Sequence, residues 1–81
     1  MKFFYVYILQ SESTVERFYV GLTEDLKARL KKHNAGEVQF TSTHRPWKIK
    51  TAVAFTEQEK AAQFERYLKT ASGRAFAKKR L

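Results

Sequence analysis

The run from Phe3 to Leu9 constrains this chain more than any other feature of its sequence. Its seven consecutive apolar residues, rich in aromatic and β-branched side chains, have the length of a strand rather than of a helix. Since no polar residue alternates with them, both faces of the strand must be covered. The run is far too short to span a bilayer. We therefore predict a central β-strand with packed layers on both sides.

Two further strands complete the predicted sheet. After the polar, turn-forming segment 10–16, Arg17–Gly21 returns to strand character and should pair with the first strand as an antiparallel hairpin. A polar loop over 37–46 precedes Trp47–Phe55, in which apolar and polar side chains alternate as in a strand. The sequence thus predicts a three-stranded antiparallel sheet.

Three helices are predicted around this sheet. The first is expected over 24–34, with Thr23 as its cap. The second begins at a capping box formed by Thr56 and Glu59 and runs to about Ala71. The third spans Gly73–Lys79, with Ser72 as its cap and Phe76 as its main apolar anchor. The element order β-β-α-β-α-α defines an α+β domain with a small sheet. At 81 residues the chain suits one domain, 1–81, and is too short for two.

The charge of the chain favours a polyanionic partner. Sixteen lysines and arginines against eight acids give a formal charge of +8, as is typical of proteins that bind nucleic acid. Charge alone does not identify the partner, because it also promotes solubility and attracts anionic membranes or ribosome surfaces. Cysteine is absent and no apolar leader precedes the first strand. We expect a cytoplasmic protein without disulfides, thiolate metal sites or membrane association.

The first helix carries two polar residues on its apolar face. At the helical period, Arg29 and His33 share a sector with Leu26 and Leu30. An arginine that snorkels to the surface and a histidine that caps the helix end would account for both without any function. The same two side chains would also supply a phosphate-binding guanidinium and a titratable imidazole.

A carboxylate lies at the edge of the apolar stripe of the second helix. Glu65 falls beside Leu68, and its simplest partner is Lys69, four residues further on. Tyr7 and Tyr19, on the first two strands, need hydrogen-bond partners if they are buried. Hydroxyls, a guanidinium, an imidazole and a metal-binding carboxylate together predict a catalytic site, formed by Tyr7, Tyr19, Arg29, His33 and Glu65.

These residues, in this order, resemble the GIY-YIG nuclease domain. The two motifs that name the family correspond to Tyr5-Val6-Tyr7 and Tyr19-Val20-Gly21. The resemblance continues through the helix with Arg29 and His33, the segment Thr43-His44-Arg45-Pro46-Trp47 and Glu65, and so covers nearly the whole chain. The chain is most similar to the small, single-domain bacterial branch of the family, which is UPF0213-like.

The resemblance implies a fold and a chemistry. The fold is a three-stranded antiparallel sheet flanked by helices, with Mg²⁺ or Mn²⁺ held by Glu65. Water would attack a backbone phosphate and leave 5′-phosphate and 3′-hydroxyl ends. Tyr7 would orient or deprotonate the water, Tyr19 would hydrogen-bond the phosphate, Arg29 would stabilise negative charge, and His33 would assist a tyrosine or touch phosphate. Since a phenol ionises near pH 10, Tyr7 can act as a base only if its pKa is lowered, and we expect Arg29, His33 or the metal to lie close to it.

Two positions depart from the family pattern. Tyr5 stands where the first motif opens with glycine, and no asparagine follows Glu65 where many family members have one. The resemblance then implies that a supporting group for catalysis is either lost or supplied by Lys69, Ser72 or Arg74.

Phosphate contacts are expected from basic residues spread along the chain, which would give salt-sensitive affinity with little dependence on sequence. The candidates are Lys27, Lys31, Lys32, Arg45, Lys48, Lys50, Lys69, Arg74, Lys78, Lys79 and Arg80. Because no zinc finger or helix-turn-helix is present, we expect structure-selective cutting, most simply of DNA, or cutting guided by a protein partner. One rival hypothesis is a non-catalytic nucleic-acid-binding module that keeps this fold. Another is a basic interaction protein in which the tyrosines, arginine and glutamate form a structural network.

Overall fold

The chain folds around one antiparallel sheet, and a computed structural model describes all of its residues, Met1–Leu81. The elements in chain order are β1 (Phe4–Ser11), β2 (Phe18–Thr23), α1 (Leu26–Asn34), a 3₁₀ segment (Gln39–His44), β3 (Trp47–Phe55), α2 (Gln58–Leu68) and α3 (Ala71–Arg80). β1 is the central strand in the order β2-β1-β3, and both of its neighbours run antiparallel to it. The predicted α+β architecture, its element order and its hairpin are confirmed.

β1 is buried on both faces, as its unbroken apolar run predicts. None of its four central residues is more than 5% exposed. Val6 and Ile8 face one side of the sheet, where α2 and α3 pack on them. Tyr7 and Leu9 face the other side, towards α1. The sheet thus separates two small cores: the α2 core, formed by Val6, Ile8, Ala61 and Leu68, and the α1 core, formed by Tyr7, Leu9 and Trp47.

A β-bulge interrupts the pairing between β1 and β3. Ile8 pairs with Thr51 and Leu9 pairs with Ile49, so Lys50 is an extra residue between the two pairs. Neighbouring residues of β1 point to opposite faces of the sheet. The side chains of β3 on the two sides of Lys50 must therefore point to opposite faces as well.

The bulge lets β3 contribute to both cores. Trp47 and Ile49 pack in the α1 core. Beyond the bulge, Phe55 packs against the α2 core, and the Thr51 hydroxyl donates to the Leu81 carbonyl at 2.8 Å. The alternating pattern over this segment predicts the strand correctly, but it contains no sign that the strand changes faces.

The N-terminal cap of α1 differs from the prediction. Asp25, rather than Thr23, caps the helix, and its carboxylate accepts the backbone N–H of Ala28 at 3.0 Å. The Thr23 hydroxyl instead accepts the N–H of Asp25 at 3.2 Å and shapes the turn before the helix. The helix therefore begins at Leu26, and the predicted start at residue 24 is wrong.

The predicted capping box of α2 is not formed. Glu57 is the cap residue and makes no side-chain hydrogen bond, while its carbonyl accepts the N–H of Ala61 at 3.1 Å. Thr56 consequently lies outside the helix, one residue too early to reach the N–H of Glu59 that the box requires.

The boundary between α2 and α3 also differs from the prediction. Thr70, rather than Ser72, caps α3: its hydroxyl accepts the N–H of Gly73 at 3.1 Å and donates to the Tyr67 carbonyl at 2.6 Å. One side chain thereby closes α2 and opens α3. Ala71, the predicted end of α2, instead begins α3 and is exposed.

Phe76 is not the main anchor of α3. Its side chain is 37% exposed, and its ring lies 6.4 Å from that of Phe64 and 6.0 Å from that of Tyr67. Ala77 and Leu81 make the contacts with the α2 core. None of the helices is long and apolar enough to cross a membrane.

The loop predicted at 37–46 contains the 3₁₀ segment, and Trp47 fixes it to the sheet. The Trp47 indole N–H donates to the Thr41 carbonyl at 2.8 Å. Asn34, at the end of α1, accepts the Trp47 backbone N–H at 2.6 Å and donates to the Trp47 carbonyl at 3.0 Å. The end of α1, the loop and the start of β3 therefore form one rigid corner.

Candidate active site

Tyr7 lies at the centre of the candidate site. It is 1% exposed and pairs with Gly21 across the hairpin. A Cβ atom at position 21 would overlap the hydroxyl and ring of Tyr7. The glycine of the second motif is therefore the residue that makes room for the tyrosine of the first.

A buried hydrogen-bond chain runs from Tyr7 into the loop. The Tyr7 hydroxyl lies 3.0 Å from His33 Nε2, and His33 Nδ1 lies 2.8 Å from Thr41 Oγ1. His33 and Thr41 are fully buried. Arg29, one turn before His33 on α1, donates from Nε to the Tyr7 hydroxyl at 3.4 Å. The His33 ring also packs against the Tyr19 ring at 5.0 Å between centroids.

The electrostatics of Tyr7 only partly match the expectation. Arg29 and His33 lie close to it, as predicted, but burial raises the pKa of Tyr7 above its ordinary value of 10.0. The hydrogen bond and charge of Arg29 lower that pKa, whereas the charges of Tyr19 and Glu65 raise it further. Desolvation of the phenolate outweighs the guanidinium, so the protein groups alone leave the pKa of Tyr7 raised.

His33 is held in its neutral form by its surroundings. Burial, and secondarily the charge of Arg29, lower the pKa of His33 below its ordinary value of 6.5. The imidazole is therefore neutral near pH 7 and can accept a hydrogen bond or a proton.

Glu65 makes the intrahelical ion pair with its simplest partner. Its Oε2 atom lies 2.6 Å from Lys69 Nζ, and its side chain is 19% exposed. The carboxylate is nevertheless close enough to raise the pKa of Tyr7. No group of three or more His, Cys, Asp or Glu residues is assembled that could hold a metal by itself. A single carboxylate fits Mg²⁺ or Mn²⁺ that keeps several waters and shares a substrate phosphate.

An open groove of about 870 Å³ lies between β2 and the α2–α3 end, and Tyr7, Arg29, His33 and Glu65 are not among the residues that line it. Tyr19 and Lys69 connect it to the site. Phe18 forms an aromatic wall that is 51% exposed, and the ammonium of Lys50, the bulge residue, lies 5.9 Å from its ring centroid. Against the single acid Glu16, the groove is lined by five cations: Arg17, Lys50, Lys69, Arg74 and Lys78.

The predicted phosphate-binding residues do not share one surface. Lys69 and Arg74 line the groove. Lys27 and Lys32 are exposed on α1, which covers the opposite face of the sheet. Lys48 is exposed on β3 outside the groove lining.

Arg45, a further predicted phosphate contact, has a structural role in the loop. Its Nε donates to the Ser42 carbonyl at 2.8 Å, and its guanidinium lies against Gly36, where φ is +79°. A side chain at position 36 would meet both a strained backbone and this guanidinium.

Sequence reasoning missed three residues of this region. Thr41, the partner of His33, lies in a polar loop without periodicity. Arg17 and Phe18 open a strand, and the alternation of a strand does not show that they line a groove. The signal available in the sequence is an aromatic residue directly after a basic one, a combination that favours contact with a nucleic acid.

Comparison with known proteins gives the class of this chain. Residues 3–80 match the GIY-YIG catalytic domain, and the chain belongs to that family of nuclease domains. Within the family it falls in the UPF0213 branch. It is 34% identical over 71 residues to the UPF0213 protein BH0048 of Halalkalibacterium halodurans, covering 86% of this chain and 73% of that protein. It is 37% identical over 68 residues to the UPF0213 protein YazA of Bacillus subtilis, covering 83% and 65%.

Two further comparisons concern the fold and the nuclease class. The solution NMR structure of the UPF0213 protein BH0048 from Bacillus halodurans superimposes with a TM-score of 0.55 at 32% identity, covering 96% of this chain and 81% of that one. The structure-specific endonuclease subunit SLX1 of Meyerozyma guilliermondii is 40% identical over 73 residues, which are 83% of this chain. The chain spans only 25% of the length of that relative.

Proposed function

We propose that this chain is a metal-dependent endonuclease that hydrolyses phosphodiester bonds of DNA, and that it selects substrates by structure or through a protein partner rather than by sequence. The observation that carries the proposal is the environment of the Tyr7 hydroxyl. It is bonded to His33 and Arg29 and lies within electrostatic range of Glu65, and Tyr19, whose ring packs on His33, lines a basic groove. Membership of a nuclease family and the similarity to the endonuclease subunit SLX1 support the reaction class.

The side chains suit distinct parts of phosphodiester hydrolysis. Tyr7 orients the attacking water, and Arg29 stabilises the negative charge that develops on the phosphate. Tyr19, which reaches both His33 and the groove, hydrogen-bonds a phosphate oxygen. Glu65 would hold Mg²⁺ or Mn²⁺ together with the substrate once Lys69 leaves its carboxylate. Such an ion, when bound, supplies charge stabilisation at the phosphate and at the departing 3′ oxygen.

A non-catalytic nucleic-acid-binding module is the second candidate function. The Glu65–Lys69 ion pair favours it, because a carboxylate already paired with an ammonium needs no metal. The basic groove would serve either function equally well. The two candidates differ in cutting, and not in binding.

Cleavage of labelled linear, flapped and branched DNAs with Mg²⁺ or Mn²⁺ separates the candidates. We expect Glu65→Gln and Tyr7→Phe to lose about 100-fold or more in rate while retaining DNA binding, since each removes a group required in the transition state. Glu59→Gln is the matched control, because Glu59 is an exposed acid on the same helix. Binding without cutting on every substrate would establish the non-catalytic module. If the protein neither binds nor cuts DNA, the remaining hypothesis is a basic interaction protein whose tyrosines, arginine and glutamate form a structural network.

A further inference from the structure

Thr41 determines which nitrogen of His33 carries the proton. The Thr41 hydroxyl lies 3.2 Å from the Val38 carbonyl, and a carbonyl can only accept. The hydroxyl has one proton, so its contacts with Val38 and His33 can both be hydrogen bonds only if that proton is directed to Val38. His33 Nδ1, 2.8 Å from the same hydroxyl oxygen, must then be the donor of that second bond and carry a proton.

The tautomer of His33 in turn orients Tyr7. A neutral imidazole has one N–H, so Nε2 is left as an acceptor when Nδ1 is protonated. The Tyr7 hydroxyl, 3.0 Å away, donates to Nε2. Arg29 Nε donates to the oxygen of the same hydroxyl, which agrees with the phenolic proton pointing to His33. In this arrangement the phenolic proton has an acceptor, whereas a proton on Nε2 would leave the Tyr7 hydroxyl without one among its two side-chain partners.

We propose that Thr41 is the positioning residue of a proton relay from Tyr7 to His33, which serves the endonuclease reaction proposed above and rests on it. The attacking water gives a proton to the Tyr7 oxygen while Tyr7 gives its own proton to His33 Nε2. The water oxygen bonds to phosphorus, and the bond from phosphorus to the 3′ oxygen breaks. That oxygen keeps the bonding pair and takes a proton from solvent, and His33 returns its extra proton to solvent.

The relay explains how a tyrosine with a raised pKa can act on water. No free phenolate has to accumulate, because the phenolic proton leaves as the proton of water arrives. The charged and titratable groups around the relay are Arg29 from α1, Tyr19 from β2 and Glu65 from α2. Arg29 holds the Tyr7 oxygen in place during the transfer through its Nε–H bond.

Three variants test the role of Thr41. Thr41→Val removes the hydroxyl and keeps the shape, and Thr41→Ser restores the hydroxyl. Ser42→Ala is the matched control, because the Ser42 hydroxyl bonds only the Gln39 carbonyl, at 3.0 Å. The bond from the Trp47 indole to the Thr41 backbone carbonyl is retained in all of them. The imidazole nitrogens of His33 are observed by ¹H–¹⁵N NMR, and kcat and KM are measured on a substrate that the wild type cuts.

We expect His33 in the wild type and in Thr41→Ser to be protonated at Nδ1, and the Nε2–H form to appear in Thr41→Val. The kcat of Thr41→Val should fall roughly 10- to 100-fold with KM within about twofold, since general-base assistance is lost and substrate contacts are not. Thr41→Ser should recover most of kcat, and Ser42→Ala should change neither readout.

Two results would overturn the relay: a wild-type His33 protonated at Nε2, or full kcat in Thr41→Val. The first result is available even if Thr41→Val does not fold. If the wild type cuts no substrate, the proposed function fails, whereas the NMR spectra still decide separately whether Thr41 sets the tautomer of His33.

Discussion

At position 21 the site depends on the absence of a side chain. In Gly21→Ala the new methyl group would overlap the Tyr7 hydroxyl, and Tyr7, at 1% exposure, has little room to move. We expect the variant to lose about 1–3 kcal/mol in free energy of unfolding, as is usual for overpacking, and at least about tenfold in cleavage rate. Urea unfolding and the cleavage assay measure these effects.

The double variant with Tyr7→Phe checks the cause. Removing the hydroxyl relieves part of the overlap, so Gly21→Ala should cost less stability in the Tyr7→Phe background than in the wild type. Equal costs in both backgrounds would show that the overlap is not the source of the loss.

His33 gives the molecule a defined dependence on pH. Because its folded pKa lies below 6.5, the unfolded chain binds a proton that the folded chain does not, and the free energy of unfolding rises with pH through that window. This contribution is complete above about pH 6.5 and is lost as pH falls towards the folded pKa.

Urea unfolding at several pH values between about 5 and 7.5 tests this, with His33→Gln as the reference that lacks the titrating group. The difference in stability between wild type and His33→Gln should shift in favour of the wild type as pH rises. A difference that stays constant over this range would contradict the lowered pKa.

The residues that converge on Tyr7 illustrate what a sequence can and cannot show at this scale. Arg29 and His33 follow from the helical period, which places them on the face that packs on the sheet. Thr41, by contrast, is the first of three adjacent hydroxyl residues, followed by Ser42 and Thr43. Nothing in their order indicates which hydroxyl turns inwards.

Among the elements, existence and order were predictable, whereas the ends of the helices were not. At the starts of α1 and α3 a second residue with a capping side chain lies two positions from the residue that caps the helix, Thr23 before Asp25 and Ser72 after Thr70. Capping preference ranks Asp and Ser above Thr, yet Thr70 rather than Ser72 caps α3. The packing of each helix on the sheet selects between them, and this information is not local.

β2 is an edge strand, and its first residue makes the main exposed aromatic contact of the groove. We expect Phe18→Ala to weaken DNA binding about 5- to 150-fold, because a nucleobase stacked on the ring loses its platform. Fluorescence anisotropy with labelled DNA in EDTA measures the affinity without cleavage.

Phe40→Ala is the matched control for Phe18→Ala. Phe40 is 82% exposed, but it lies on the 3₁₀ segment outside the groove lining. Its removal should change the affinity less than about twofold, as surface changes remote from a binding site usually do. Similar effects of the two substitutions would mean that exposed aromatic area, rather than the groove, determines binding.

For the whole molecule, the distribution of charge matters more than its total of +8. Lys78 lines the groove, whereas Lys27 is exposed on α1 at the other face of the sheet. We expect Lys78→Gln to weaken DNA binding and to reduce the slope of log K against log salt by about 1, through loss of one phosphate contact. Lys27→Gln should leave the slope unchanged. If Lys27→Gln reduced the slope and Lys78→Gln did not, the DNA-binding surface would lie on α1 instead of in the groove.

The sequence predicts a basic, nucleic-acid-binding molecule but cannot divide its cations between two faces. That division depends on which side of the sheet each helix covers. The hydrophobic pattern of a helix shows which of its faces is buried, but it does not show on which side of the sheet the helix packs. Lys27 and Lys78 are both predicted phosphate contacts, and only the fold shows that Lys78 lines the groove and Lys27 lies on the other face.

The bulge at Lys50 gives β3 something like a reading frame. The inward side chains before Lys50 point to the α1 core, and those after it point to the α2 core. Packing of β3 therefore requires a residue at position 50 but does not depend on which side chain it carries. Deleting Lys50 would turn either Trp47 or Phe55 to the wrong face of the sheet. Since the Trp47 indole bonds the Thr41 carbonyl, such a frameshift in one edge strand would reach the hydrogen-bond chain of Tyr7. The spacing of the hydrogen-bond chain around Tyr7 thus depends on a strand that contributes no side chain to that chain.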